Sequence, residues 1–188
     1  MIGQAFSANC EMILQECAAA LKAVDPEVVE QYLDLIQKAE KVFFVGVGRV
    51  MLSLQCIAKR YAHLGIRAVI VGQITEPAIT NRDVLIVGSG SGETLFPSAI
   101  AKKAKGYGAK IIHIGYNPQS GLREIADLFV RIPMAGKNRT EGDVRSVQPM
   151  TSLFEQALLL FGDATAMMLI ERNKIDINYL WAYHANLE

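Results

Sequence analysis

The segment Asp83-Val84-Leu85-Ile86-Val87-Gly88-Ser89-Gly90-Ser91-Gly92-Glu93-Thr94 constrains the fold more than any other stretch. Val84 to Val87 are apolar and mostly β-branched, the composition of a strand covered on both faces. The run then breaks into alternating glycines and hydroxyl residues, and Leu95 to Tyr107 follows with helical spacing. A buried strand entering a helix through a tight turn is half of a βαβ unit, so the chain must supply a parallel sheet and helices to cover it. The turn lies at a helix N-terminus, where unpaired N–H groups and the positive end of the helix dipole suit an anion, most often phosphate. The loop contains no lysine, which separates it from the Gly-Lys-Ser/Thr loop of nucleoside triphosphate sites. A phosphate monoester held by hydroxyls and amides fits it better.

The other segments supply the rest of that sheet. Strands are expected at 41–45, 67–71, 84–88, 110–115 and 128–132. Helices are expected over 50–64 and 95–107, with a short one ending at Ala126. Two helices precede the first strand, over 4–23 and from Pro26 to about Ala39, the second capped by Asp25. The expected fold is α/β: a five-stranded parallel sheet sandwiched between helices, in a Rossmann- or flavodoxin-like three-layer arrangement. All 188 residues are read as one domain. Residues 1–40 are N-terminal helices, 41–132 the parallel βαβ core, 133–147 a polar loop and 148–188 C-terminal helices. Right-handed crossovers place helices on both faces. Ligands bind such sheets beyond the strand carboxyl ends, where the strand order reverses. The turns after Val45 and Val87 would therefore face one crevice if their strands are neighbours. The polar loop is readable as a flexible lid or as a plain connector.

Lys plus Arg and Asp plus Glu each total 19, so no overall field favours nucleic acid or an anionic membrane. Cys10, Cys17 and Cys56 lack metal-ligand spacing and suit thiols in a reducing cytosol. No signal-peptide pattern is apparent, so the expected location is cytoplasmic. The apolar tract from Leu158 to Ile170 is interrupted by Asp163 and reads as a buried or interface helix.

Several residues could carry chemistry. Gly46-Val47-Gly48 is a second tight turn at a strand end, but Met51 stands where a dinucleotide fingerprint needs a small third residue. Arg49 opens the following helix, placed to clamp a phosphate through its fork or to remain solvated. Glu155 has two readings. It completes a capping box with Ser152, or it serves as a proton-transfer base in a crevice. His63 lies mid-helix and His113 inside a strand, so both read as structural, while His184 lies in a polar terminal piece. No residues have metal-ligand spacing, and no serine sits in a nucleophile elbow.

Taken together, Gly46-Val47-Gly48-Arg49, Ser89-Gly90-Ser91-Gly92-Glu93-Thr94, Ser146-Val147-Gln148-Pro149-Met150, Ser152-Leu153-Phe154-Glu155-Gln156 and His184-Ala185-Asn186-Leu187-Glu188 resemble the SIS (sugar isomerase) domain family. The two late segments point to its 6-phospho-3-hexuloisomerase branch. The resemblance covers about residues 30–188. It implies an isomerase that interconverts 3-hexulose 6-phosphate and fructose 6-phosphate through an enediolate, without metal or redox cofactor. It also implies a homotetramer with sites shared between subunits, and a phosphosugar rather than nucleic acid or membrane as partner. By this likeness Ser89, Ser91 and Thr94 hold the phosphate with the amides of Gly90 and Gly92, and Gly48 and Arg49 border it. Glu155 would be the base, and His184, supplied by a neighbouring chain, the oxygen acid or ring opener. Val50 and Met51 stand where the family usually has Ser-Gly, Tyr183 where it has Arg, and Thr151 where it has Gly. These departures leave open a different phosphosugar, or a SIS domain that binds without turnover.

Overall fold

A computed structural model describes residues 2–136 and 142–187. Two helices, α1 (Ile2–Lys22) and α2 (Pro26–Lys38), lead into β1 (Val42–Val45), α3 (Gly48–His63) and β2 (Ala68–Ile70). They are followed by β3 (Val84–Gly88), α4 (Leu95–Gly106), β4 (Lys110–Gly115), α5 (Gly121–Ile125) and β5 (Leu128–Arg131). The chain closes with α6 (Ser152–Arg172) and a 3-10 helix, Ile177–Tyr183. The five strands form one parallel sheet in the order β2-β1-β3-β4-β5. Each strand lies within two residues of its expected place. β1 and β3 are neighbours, with Val45 opposite Val87, so the order reverses between them and both glycine turns emerge side by side.

Strand alternation divides the core. Phe44, Ile86, Ile112 and Val130 point to one side, where residues of α1, α2, α3 and α6 cover them. Phe43, Leu85, Val87 and Ile111 point to the other, against α4 and α5. The helix α6 is long and apolar enough by composition to cross a membrane, yet Leu153, Phe154, Leu158 and Leu169 are buried in the first core. Its polar residue Thr165 ends a buried hydrogen-bond chain. Thr165 donates to the carbonyls of Phe161 and Gly162 at 2.9 and 3.0 Å. Its oxygen must then accept from Tyr61 at 2.8 Å, and Tyr61 in turn from Tyr32 at 2.9 Å. Asp83, just before β3, is 1% exposed and paired with Lys41 at 3.0 Å. Burial alone would raise its carboxyl, but hydrogen bonds from Lys41 and Thr80 hold it below the usual value.

The polar section 133–147 is only partly within the described residues, since 137–141 lie outside them. Its described ends are tied to the sheet. Met134 is buried and bridges Val144, Ala135 donates to the Val144 carbonyl at 2.9 Å, and Arg131 pairs with Asp143 at 3.0 Å. The α6 start also differs from the expected capping box. The helix begins at Ser152 itself, whose hydroxyl donates back to Pro149 O at 2.8 Å, and Thr151 occupies the cap position. Glu155 is thereby released from capping and turned elsewhere.

Candidate active site

The loop after β3 is braced from within. Ser89 is 3% exposed; its hydroxyl accepts from Gly92 N at 3.1 Å and pairs with Thr94 Oγ1 at 3.0 Å. Ser91 Oγ accepts from Glu93 N at 3.3 Å, and Glu93 Oε1 accepts from Gly121 N at 2.8 Å. Gly90 O receives Tyr116 N at 2.9 Å. A Cβ at Gly90 would lie 2.4 Å from the Tyr116 ring, so this glycine admits an aromatic neighbour. Gly92 has φ +68, and its N–H is used on Ser89. Gly92 thus spends its amide inside the loop, on the Ser89 hydroxyl.

Beneath the loop lies His113. Its Nε2 donates to the Ser89 carbonyl at 2.8 Å, which fixes the tautomer, because a carbonyl can only accept. The ring packs on Phe129 at 4.9 Å. Burial pushes its pKa down to about 4, so the imidazole stays neutral.

The β1 turn meets this loop from the side. Val50 Cγ1 would lie 2.8 Å from a Cβ at Gly88, so the bare strand end lets the first turn of α3 settle over β3. Met51 turns into the first core rather than into the cleft. A cleft of about 280 Å³ remains, bordered by Gly48, Arg49, Ser89, Gly90, Ser91, Thr94, Tyr116, Thr151 and Glu155 among others. The N-terminal ends of α3, α4 and α6 all border it, through Gly48, Thr94 and Thr151. Three helix N-termini therefore aim the positive ends of their dipoles at one cleft. A larger groove of about 480 Å³ lies beside α4 and contains none of the expected site residues.

Glu155 reaches the same cleft from α6, 8% exposed. Arg49 Nε donates to its Oε2, Thr151 Oγ1 donates to its Oε1 at 2.9 Å, and Ser53 Oγ donates to its main-chain carbonyl at 2.9 Å. Both carboxylate oxygens of Glu155 thus accept hydrogen bonds at the edge of the cleft. Thr151 and Tyr116 were missed in the sequence. Thr151 was legible only as an unusual residue in its motif, and Tyr116 carried no signal before β3 and β4 were known to be adjacent.

His184 is not brought to this cleft within the chain. Its ring stacks on His63 at 5.3 Å and lies 5.2 Å from Trp181. His63 is fourteen residues beyond Arg49 on α3, about 21 Å at the helical rise. Tyr183 likewise packs away from the cleft, with its hydroxyl 3.3 Å from where a Gly65 Cβ would stand.

The SIS domain family matches residues 35–160. The chain belongs to the SIS domain family. The chain is 38% identical to 3-hexulose-6-phosphate isomerase of Bacillus subtilis over 176 residues, covering 94% of this chain and 95% of that protein. It is 37% identical to the protein of the same name from Mycobacterium gastri over 188 residues, covering 100% and 94%. A solved structure from Methanococcus jannaschii, for which a function of 3-hexulose-6-phosphate isomerase was inferred, superposes with TM-score 0.83 at 29% identity over 96% of this SIS chain and 99% of that one.

Proposed function

We propose that this SIS chain is a sugar-phosphate isomerase that interconverts 3-hexulose 6-phosphate and fructose 6-phosphate. The observation that carries this reading is the convergence, in one cleft, of the 88–94 loop, Arg49 and the Glu155 carboxylate. The names of the relatives from Bacillus subtilis and Mycobacterium gastri support the choice of substrate. In this reading Ser91, Thr94, the Gly90 amide and the helix ends bordered by Gly48 hold the phosphate, with Arg49 alongside. Ser89 shapes the loop from below. Glu155 takes the proton from C2, leaving an enediolate across C2 and C3, and returns it to C3. The hydroxyl proton on O2 leaves as O3 gains one, so the carbonyl moves by one carbon with no net change in redox state.

His184 is assigned as the acid for these oxygens, contributed by a second subunit of a homotetramer in the cytoplasm. Exposed Trp181, Met167 and Leu52, 72%, 70% and 60% accessible, support assembly. So does a second cavity of about 210 Å³ that shares Arg49 and Glu155 with the cleft and opens beside Leu52 and Cys56. Light scattering on the purified protein checks the tetramer.

The test of function mixes the protein with 3-hexulose 6-phosphate and follows fructose 6-phosphate. Conversion is expected, and silence under conditions where a known isomerase works would falsify this substrate. Val50 on the cleft wall favours one alternative, a SIS module that binds a phosphosugar without turnover. A thermal-shift panel of phosphosugars distinguishes it by stabilisation without conversion.

A further inference from the structure

The motif Ser146-Val147-Gln148-Pro149-Met150 is not among the residues that border the cleft, yet it is held by three hydrogen bonds from outside. One carboxylate on the N-terminal helix, Glu16, holds it. Ser146 Oγ donates to Glu16 Oε2 at 2.6 Å, Val147 N to Oε1 at 2.9 Å and Gln148 Nε2 to Oε2 at 2.8 Å. Gln148 N also donates to Ser146 Oγ at 3.1 Å, closing a compact knot. Burial pulls the Glu16 carboxyl upward, but the bonds from Ser146, Val147 and Gln148 outweigh it and leave it below its ordinary value.

Just beyond the knot, Met150 adopts φ 57, a left-handed conformation that a side-chain-bearing residue enters only when its surroundings impose it. The Met150 side chain is 95% exposed and does not hold that turn in place. The constraint comes from both flanks: the Glu16 knot before it, and Ser152 Oγ on Pro149 O after it. The next residue, Thr151, is the hydrogen-bond partner of Glu155 Oε1. A short rigid path therefore runs from α1 to the carboxylate. The same helix touches α6 again one residue past Glu155, where Cys17 Sγ donates to Gln156 Oε1 at 3.5 Å.

We infer that Glu16 is a positioning residue for the isomerase reaction: its clamp on residues 146–148 sets the strained turn at Met150, and through Thr151 the aim of the Glu155 carboxylate. This rests on the proposed isomerase function. It gives the hexuloisomerase-branch motif a mechanical role, and it makes the N-terminal helix part of the catalytic apparatus. The SIS match starts only at residue 35, so this helix lies outside it.

The experiment compares wild type with Glu16→Ala, Glu16→Gln and Ser146→Ala in the full chain. Two readouts are used: kcat and KM with 3-hexulose 6-phosphate, and the rate of tryptic cleavage after exposed Arg145. For Glu16→Ala, kcat is expected to fall about tenfold to a hundredfold, the cost of a slightly misaimed catalytic group. KM stays within about twofold, because the phosphate loop lies on other elements. Cleavage after Arg145 is expected to speed up about tenfold or more as the strap opens. Glu16→Gln keeps one acceptor and should fall between the two, and Ser146→Ala should not add to Glu16→Ala. A Glu16→Ala protein with wild-type kcat, or with KM alone changed, overturns the inference. So does unchanged cleavage, which is read independently of activity. A wild type without isomerase activity overturns the functional reading and the positioning role with it, whereas an active wild type with an indifferent Glu16→Ala overturns only the latter.

Discussion

Part of this protein's response to acid should run through a residue that never meets solvent, His113. His113 is fully buried, and its pKa falls from 6.5 to about 4 because burial disfavours the charged ring. Below pH 6.5 the unfolded chain takes up a proton that the folded chain refuses until about pH 4. The stabilisation is therefore fully present above pH 6.5 and is lost as pH falls toward 4. At about 1.4 kcal/mol per pH unit, the interval corresponds to about 3 kcal/mol. The perturbation is acidification from pH 7 to 4, applied to wild type and to His113→Gln, which keeps a donor near the Ser89 carbonyl but does not titrate. Urea denaturation at each pH gives the two stabilities. Carboxylate titrations affect both proteins alike, so the difference between them isolates the histidine. Wild type should be the more stable at pH 7, and its advantage should shrink by about 3 kcal/mol by pH 4. Parallel curves for the two proteins would refute the assignment of His113 as a neutral pillar under the loop after β3.

Other perturbations follow from the packing. A Cβ at Gly162 would lie 2.2 Å from Ile57 Cγ1. Gly162→Ala should thus wedge α3 from α6, cost about 1–3 kcal/mol by thermal or urea unfolding, and lower kcat by separating Arg49 from Glu155. Tyr61→Phe breaks the buried hydroxyl chain in its middle, stranding the Tyr32 donor, and should cost about 1–3 kcal/mol. Tyr32→Phe removes only the terminal donor and should cost less, about 0.5–1.5 kcal/mol, in the same unfolding assay.

The fold was legible because its signals are local. Each strand is a short, mostly apolar run of 3 to 6 residues, and the alternation with helices leaves few topologies. The strand–loop–helix turn was legible for the same reason: Gly88 to Thr94 is contiguous. What escaped depends on contacts between distant segments. Gly88 and Gly90 look like freedom for a ligand to approach, yet the structure uses them to admit Val50 and Tyr116. Glu155 fits a capping box in sequence, and only the turn at Met150, which starts the helix at Ser152, redirects it to Arg49. The Glu16 clamp spans about 130 residues and leaves no local trace. His184 was read as a contribution from a neighbouring chain, and within its own chain it stacks on His63 at the far end of α3.

The central claim is that a carboxylate on α6 moves a proton on a sugar whose phosphate is held by the loop after β3. The most direct measurement gives 3-hexulose 6-phosphate to wild type and to Glu155→Gln, recording fructose 6-phosphate formation and ligand-induced thermal stabilisation in parallel. Conversion by wild type is predicted, with the variant stabilised about equally but slower by about 10²–10⁴-fold. Undiminished turnover by Glu155→Gln would contradict the account.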